Sequence, residues 1–190
     1  MSDEPAEPPS DVTALLRRWQ DGDAEACERL MVLVYDRVCA IAAQSLQRQA
    51  GATLTPTELA HEALLRLLGA EASWVDRRHF FHVVAQATRQ VLVDRARRRL
   101  SDKRGAGAEA VSLSQIEGVG GLDRDEDLVR VDDALSELGA NDARQARIVE
   151  MTYFGGFARE EIAAALELSV GTIDRDLRFA RAWLKDALSA

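Results

Sequence analysis

Residues 160–188 carry two short apolar repeats of helical period separated by a three-residue connection, and no other stretch constrains the chain as tightly. Glu160-Glu161 opens a first helix with Ile162, Ala163, Leu166 and Leu168 apolar. Ser169-Val170-Gly171 is a tight connection in which Gly171 is expected to take backbone angles that other residues resist. Thr172 suits the N-cap of the next helix. Ile173, Leu177, Ala180 and Leu184 then recur at i, i+4, i+7 and i+11, which places them on one buried stripe. The pattern is that of a helix-turn-helix. On the same projection Arg175, Arg178 and Ala182 lie opposite the stripe, flanked by Phe179 and Lys185. An arginine fork matches phosphate oxygens and the acceptor edge of guanine, so the second helix has the chemistry of a duplex-DNA reader. Asp174 and Asp176 share that helix and would repel phosphate, although Asp174, one turn before Arg178, is placed to pair with it. A helical hairpin whose surface is merely basic is the competing account of the motif.

Helical periodicity recurs along the rest of the chain, whereas sustained alternation and β-branched clusters are scarce, so the expected fold is all-α. Residues 11–20 read as a short helix capped by Asp11, with Leu15, Leu16 and Trp19 apolar, and Gly22-Asp23 breaks it. A long helix follows over 24–49, with Leu30, Leu33, Val34, Val38, Ile41, Ala42 and Leu46 inward, and Gly51 ends it. A third helix spans 55–68 and ends at Gly69; the loop 70–76 holds Trp74. A fourth starts near Asp76 and runs to about Leu100. Its stripe of Phe80, Val84, Ala87 and Val91 gives way to a basic stretch, with seven basic residues against two acidic ones from Arg89 to Arg104. A solvated helix end accounts for such a run by itself. Beside a helix-turn-helix, a second DNA-contacting surface is the better account.

Residues 105–127 lack periodicity and hold five glycines, the composition of a linker. Beyond it, residues 128–138 form one helix, Asn141 or Asp142 caps another, and the helix-turn-helix closes the chain. The expected organisation is a disordered acidic, proline-rich tail over 1–10, a helical domain over 11–104, a flexible linker over 105–127 and a helix-turn-helix domain over 128–190. Two tethered modules with basic faces suit the reading of two separated DNA elements.

A chain of 190 residues has room for one medium or two small domains. Its net charge of −8 excludes wholesale coating of nucleic acid, so DNA contact must come from local basic patches. Cys27 and Cys39 are too few for a disulfide framework and lack metal-ligand spacing. With no apolar run of membrane-spanning length and no signal-like start, a reduced, cytoplasmic protein without membrane insertion is expected. His79 and His82 lie one turn apart but no third ligand stands at useful spacing, and His61-Glu62 lacks the second histidine of a zinc-protease motif. Neither a phosphate-cradling glycine loop nor a nucleophile motif occurs. The chain is therefore read as a non-enzyme with no metal and no cofactor.

Three segments in order resemble the bacterial RNA polymerase sigma factors of the extracytoplasmic-function (ECF) type. ELAHEALLRL at 58–67 is similar to the helix that docks on the polymerase clamp, TRQVLVDRARRR at 88–99 to the segment that opens the downstream promoter element, and YFGGFAREEIA at 153–163 to the lead-in of the domain that reads the upstream element. The resemblance covers nearly the whole chain after the tail. It implies an alternative sigma factor that binds core RNA polymerase and promoter DNA and directs promoter-specific initiation. By the same resemblance, Arg89, Gln90, Arg95 and Arg98 contact the melted strand, with Trp74 as a weaker stacking candidate. Thr172, Arg175, Arg178 and Arg181 read the upstream element, and Thr57, Glu58, His61, Glu62 and Arg66 face the polymerase. Gln90 stands where such proteins usually carry asparagine, and Asp174 where they often carry a basic residue.

Another departure bears on control. The docking helix of these proteins usually opens with an acidic cluster, yet here the stretch is Thr55-Pro56-Thr57-Glu58. Thr55 as N-cap, Pro56 at the first helical position and Glu58 three residues on make a capping box, which leaves Thr57 unexplained. Thr57, and after it Thr55, are candidate phosphorylation sites: a phosphate would add about −1.5 to −2 charge at a helix N-terminus and restore the missing acidic surface. The chain resembles the subgroup linked to Ser/Thr kinase control, so a kinase joins an anti-sigma factor among the expected partners. The alternative function is a stand-alone helix-turn-helix regulator that binds an operator without polymerase.

Overall fold

The computed structural model describes residues 11–47, 54–69, 76–105 and 124–189. The expected tail, the helix-ending Gly51, the loop with Trp74 and residues 106–123 of the expected linker lie outside the described residues. Those described form eight helices and no strand: α1 (Asp11–Gln20), α2 (Ala24–Gln47), α3 (Pro56–Leu68), α4 (Arg77–Gly105), α5 (Arg124–Asn141), α6 (Ala143–Tyr153), α7 (Arg159–Leu166) and α8 (Val170–Ser189).

Local chemistry sets most of the helix ends. Gly22 takes φ +90° at the α1–α2 turn, a left-handed conformation that costs glycine little. Asp23 then caps α2 by accepting the Ala26 N–H at 3.0 Å, and it pairs with Arg18 at 2.6 Å. The Ala26 amide, with Arg18 second, holds the Asp23 carboxyl below its ordinary range. Helix α3 opens on the expected capping box: Thr55 Oγ1 accepts the Glu58 N–H at 3.2 Å, and the Glu58 carboxylate accepts the Thr55 N–H at 2.7 Å. Gly69 is its C-cap. Asp142, one of the two expected caps, starts α6 by accepting the Gln145 N–H at 3.0 Å.

Helix α2 turns Ala26, Leu30, Val34, Val38, Ile41 and Ala42 inward. Leu33 departs from the expected stripe and is 54% exposed, as is Val32 beside it to a larger degree. The reason is angular: successive helical residues are rotated by about 100°, so Leu33 lies a full step away from Val34, which marks the centre of the buried stripe. Helix α4 extends further than its apolar start predicts. Val93, Ala96 and Leu100 carry the buried face through the arginine-rich stretch, so the helix continues to Gly105.

Two core clusters result. One joins α1–α4 around Leu16, Leu30, Ile41, Leu59 and Phe80. The other joins α5–α8 around Leu135, Leu138, Ile148, Met151, Ile162 and Ile173. They meet on α4: Ala85 belongs to the second cluster, and Leu128 and Phe157 pack against both. A second meeting point lies at the end of α2, where Ser45 Oγ donates to the Phe154 carbonyl at 2.6 Å. There Gly156 takes φ +61°, and a Cβ at this position would collide with the Gln44 amide.

Candidate nucleic-acid interface

The helix-turn-helix is formed by α7 and α8, but its turn is built differently from the expectation. Gly171 lies inside α8 with ordinary backbone angles. The left-handed residue is Glu167, at φ 55° and ψ 41°, which closes α7. The cap of α8 is Ser169, whose Oγ accepts the Thr172 N–H at 3.1 Å; Thr172, expected as the cap, sits in the first turn with its hydroxyl 2.9 Å from Ser169 Oγ. The connection thus takes its sharp bend two residues before the serine, and the serine is left to satisfy the amides that any helix start leaves unpaired.

Ile173, Leu177 and Ala180 are buried as the period requires, and Leu184 is half-buried. Between them the structure inserts Asp176, only 3% exposed, paired with Arg144 of α6 at 3.0 Å. Its carboxylate therefore faces the core and not the DNA side. Asp174 pairs with Arg159 of α7 at 3.0 Å in place of the expected Arg178. A neighbouring helix end presents its guanidinium to Asp174, so Arg178 keeps its exposure. Arg175 is exposed, as is Arg181, whose Nε donates to the Tyr153 hydroxyl at 2.6 Å and whose guanidinium lies over that ring. Arg175, Arg178 and exposed Phe179 give α8 a cationic, partly aromatic outer face, with Asp174 turned to Arg159 and Asp176 shared between Arg144 and, at 3.6 Å, Arg175.

The α4 residues separate into two groups. Gln90 and Arg98 are exposed. Arg95 pairs with Glu62 of α3, whose hydrogen bond raises the guanidinium above its already high range. Arg89 is largely buried against the C-terminal helices: its Nη2 lies 3.1 Å from Glu150 Oε1 and its Nη1 3.4 Å from Asp132 Oδ1. Arg97 meets Asp132 at 3.1 Å and Asp133 at 3.0 Å, and Arg99 meets Asp125 at 2.5 Å. These acidic partners escaped the sequence reading. Their signal was present in α5, where Asp125 and Asp132 stand seven residues apart on one face.

Beside Arg89, His82 completes a buried polar cluster. Arg147 Nε donates to His82 Nδ1 at 3.3 Å, and His82 Nε2 lies 3.1 Å from Glu150 Oε2. His79, one turn away, has its pKa lowered by burial first and then by Arg147 and His82. Both ring nitrogens of His82 are engaged by an arginine and a carboxylate, so its contacts are those of a packing residue. Among the described residues, no three His, Cys, Asp or Glu side chains converge as a metal site would require, and no helix is long and apolar enough to cross a membrane.

On α3, Thr57 and His61 are exposed, the latter 3.0 Å from the Tyr35 hydroxyl. Glu58 is committed to the capping box, and the Thr55 N–H holds its carboxyl below the ordinary range. Glu62 and Arg66 both reach α4, Arg66 through Asp94 at 2.5 Å. The five expected docking residues therefore divide between an outer face and a seam with α4.

A family model described as ECF sigma factor matches residues 9–190. No curated protein sequence matches the chain. Among solved structures, similarity is found to one described as the co-crystal structure of the sigma factor RpoE in complex with the anti-sigma factor NepR from Bartonella quintana. Identity is 20%, with 88% of this chain and 99% of that chain covered, at a TM-score of 0.37. So loose a superposition carries no argument about helix placement, and the assignment rests on the sequence match over nearly the whole length. The chain belongs to the ECF sigma factor family, the alternative sigma factors that bind core RNA polymerase and promoter DNA to initiate transcription.

Proposed function

We propose that this sigma factor docks on core polymerase through α3, contacts the opened promoter strand with α4 and reads the upstream element with α8, and that phosphorylation of Thr57 switches the docking on. The work divides between residues 11–104 and 128–190, joined through 105–127, of which Gly105 ends α4 and 124–127 form the first turn of α5.

The observation that carries the reading is the outer face of α3. Thr57, His61, Leu65 and Leu68 follow one another at helical spacing and all are exposed, Leu65 by 66% and Leu68 by 47%. Apolar side chains left out on a helix whose other faces are packed are what a partner surface provides for. The helix holds two carboxylates, Glu58 and Glu62, and both are engaged within the chain. The outer face consequently offers little negative charge to a basic partner. A phosphate on Thr57, at the second position of α3, would supply about −1.5 to −2 there, where the helix dipole favours an anion. Thr55 is the poorer acceptor because its hydroxyl is part of the cap.

The test is binding of the full chain to core RNA polymerase, unmodified and stoichiometrically phosphorylated at Thr57 by a Ser/Thr kinase, followed by run-off transcription. Tighter binding and promoter-specific transcripts from the phosphorylated form are expected. Equal affinity of the two forms rejects the switch. Operator-specific DNA binding with no affinity for polymerase in either form replaces this reading with that of a stand-alone regulator.

A further inference from the structure

We propose that Phe179 is a sequence-selecting residue of α8, which favours one A·T pair of the upstream element by packing its ring on the thymine C5-methyl. The inference rests on the reading of α8 as the helix that enters that element.

Phe179 is 58% exposed on the outer face of α8. At about 100° per residue it lies about 40° from Arg175 around the helix and about 100° from Arg178. The inner side of the same helix does take up a large aromatic: Trp183, one turn on, is half-buried against the second core. Phe179 belongs to neither core cluster. Ala182, exposed and one turn further along the outer face, ends in a single methyl, so a groove edge can reach the ring from that side. A lone exposed apolar side chain is ordinary on a protein surface. What singles this one out is its place beside two exposed arginines on the helix that reads duplex DNA.

A phenyl ring gives phosphate no hydrogen bond and gains nothing from the polar atoms of a base edge. In the major groove the thymine C5-methyl is the apolar feature, and phenylalanine is among the side chains that pack on it. The outer face of α8 is thereby divided by chemistry. Arg175 and Arg178 carry forks suited to guanine or phosphate, whereas Phe179 carries a surface that gains from a methyl and loses against an unpaired polar group. From Arg175 to Phe179 the helix rises about 6 Å, at about 1.5 Å per residue. That is close to two base-pair steps of about 3.4 Å. The selected thymine therefore stands about two pairs from the pair that Arg175 touches.

The experiment assembles the full chain with core RNA polymerase, selects bound duplexes from a random-sequence pool and maps the upstream element by footprinting. Each thymine of that element is then replaced in turn by deoxyuridine, which removes the methyl and keeps the base pair, and binding is read by competition. The wild type should lose about fourfold at one thymine, the worth of one buried methyl. Phe179→Ala should bind the thymine and deoxyuridine duplexes at that position alike, Phe179→Leu should keep part of the difference, and both should melt with the wild type because the side chain lies outside the core. A wild type indifferent to every replacement, or a Phe179→Ala protein that keeps the full loss, overturns the inference. So does a Phe179→Ala protein that loses core binding and keeps its thymine preference, since the ring then serves the polymerase. Arg178→Glu separates the two levels of the reading. If it leaves protection of the element unchanged, α8 is not the reading helix and the inference falls with that assignment. If it weakens protection while every replacement is silent, the role of Phe179 alone is rejected.

Discussion

Removing Arg144 should damage this protein more than removing Arg144 together with the residue it serves. Asp176 is 4% exposed at its side chain, inside the helix-turn-helix core, and Arg144 Nε lies 3.0 Å from its Oδ2. The contact is close but off-line for a hydrogen bond, since Oδ2 has no hydrogen-bond partner, so the arginine acts mainly through its charge. Arg175 is 3.6 Å from the other oxygen and 70% exposed, a weaker substitute. Arg144→Ala leaves a buried carboxylate with only the longer contact to exposed Arg175. Breaking a fully buried pair costs about 3–5 kcal/mol, but Arg144 is 49% exposed and water screens half of the interaction. A loss of about 1–2 kcal/mol is therefore expected. For a chain of this size that lowers Tm by about 2–8 °C. The double variant Arg144→Ala, Asp176→Ala removes the stranded charge at the cost of a small cavity, and should melt above the single variant. Circular dichroism melts of wild type, both single variants and the double variant decide the matter. An Arg144→Ala protein that melts with the wild type, or a double variant that melts below it, would refute the argument that charge compensation holds Asp176 inward.

Three further predictions concern other parts of the chain. Thr55→Ala should cost about 1 kcal/mol through loss of the α3 cap; the Glu58 carboxyl is lowered first by the Thr55 N–H, which the variant keeps, and then by the Thr55 hydroxyl, which it loses, so the hydroxyl's share of the stabilisation is present above Glu58's ordinary range and fades as pH falls through its folded value. The difference in Tm between Thr55→Ala and wild type should thus narrow on acidification, and a constant difference would count against the capping box. Gly156→Ala should destabilise by about 1 kcal/mol from the left-handed backbone, with the end of the Gln44 side chain swinging aside at little further cost, so Gln44→Ala in the same chain should recover little in a denaturant titration. Arg178→Glu should weaken protection of the upstream promoter element in holoenzyme footprints while leaving core binding unchanged, and normal protection would remove α8 as the reading helix.

Features that depend on near neighbours in sequence were legible. The Thr55–Pro56–Glu58 cap, Gly69 as the α3 terminus and Asp142 as the α6 cap each involve residues a few positions apart, and all form as the spacing predicts. The stripe of Ile173, Leu177 and Ala180 was equally plain. What the sequence did not disclose was settled by partners far along the chain. Asp174 has Arg178 within reach on its own helix yet takes Arg159, because α7 brings that side chain across the turn. Asp176 looked like a surface acid opposed to DNA, and only the position of α6 reveals it as a buried ion-pair member. The turn misled for a different reason: Gly171 is the residue best suited to a left-handed angle, but the bend falls at Glu167, the C-cap of α7. Arg89 followed the same rule as the aspartates, since its two acid partners lie 43 and 61 residues away in sequence.

The continuity of α4 has a consequence for the order of events at the ribosome. Its 29 residues span about 43 Å as one rod, and one flank completes the core of α1–α4 while the other receives α5 and α6. The first core is assembled from helices adjacent in sequence, the kind of topology that forms fastest, and it is synthesised first. The arginine flank of α4 is therefore finished and solvated before the acidic helices emerge, so the nascent chain passes through a stage whose surface charge differs from that of the completed protein.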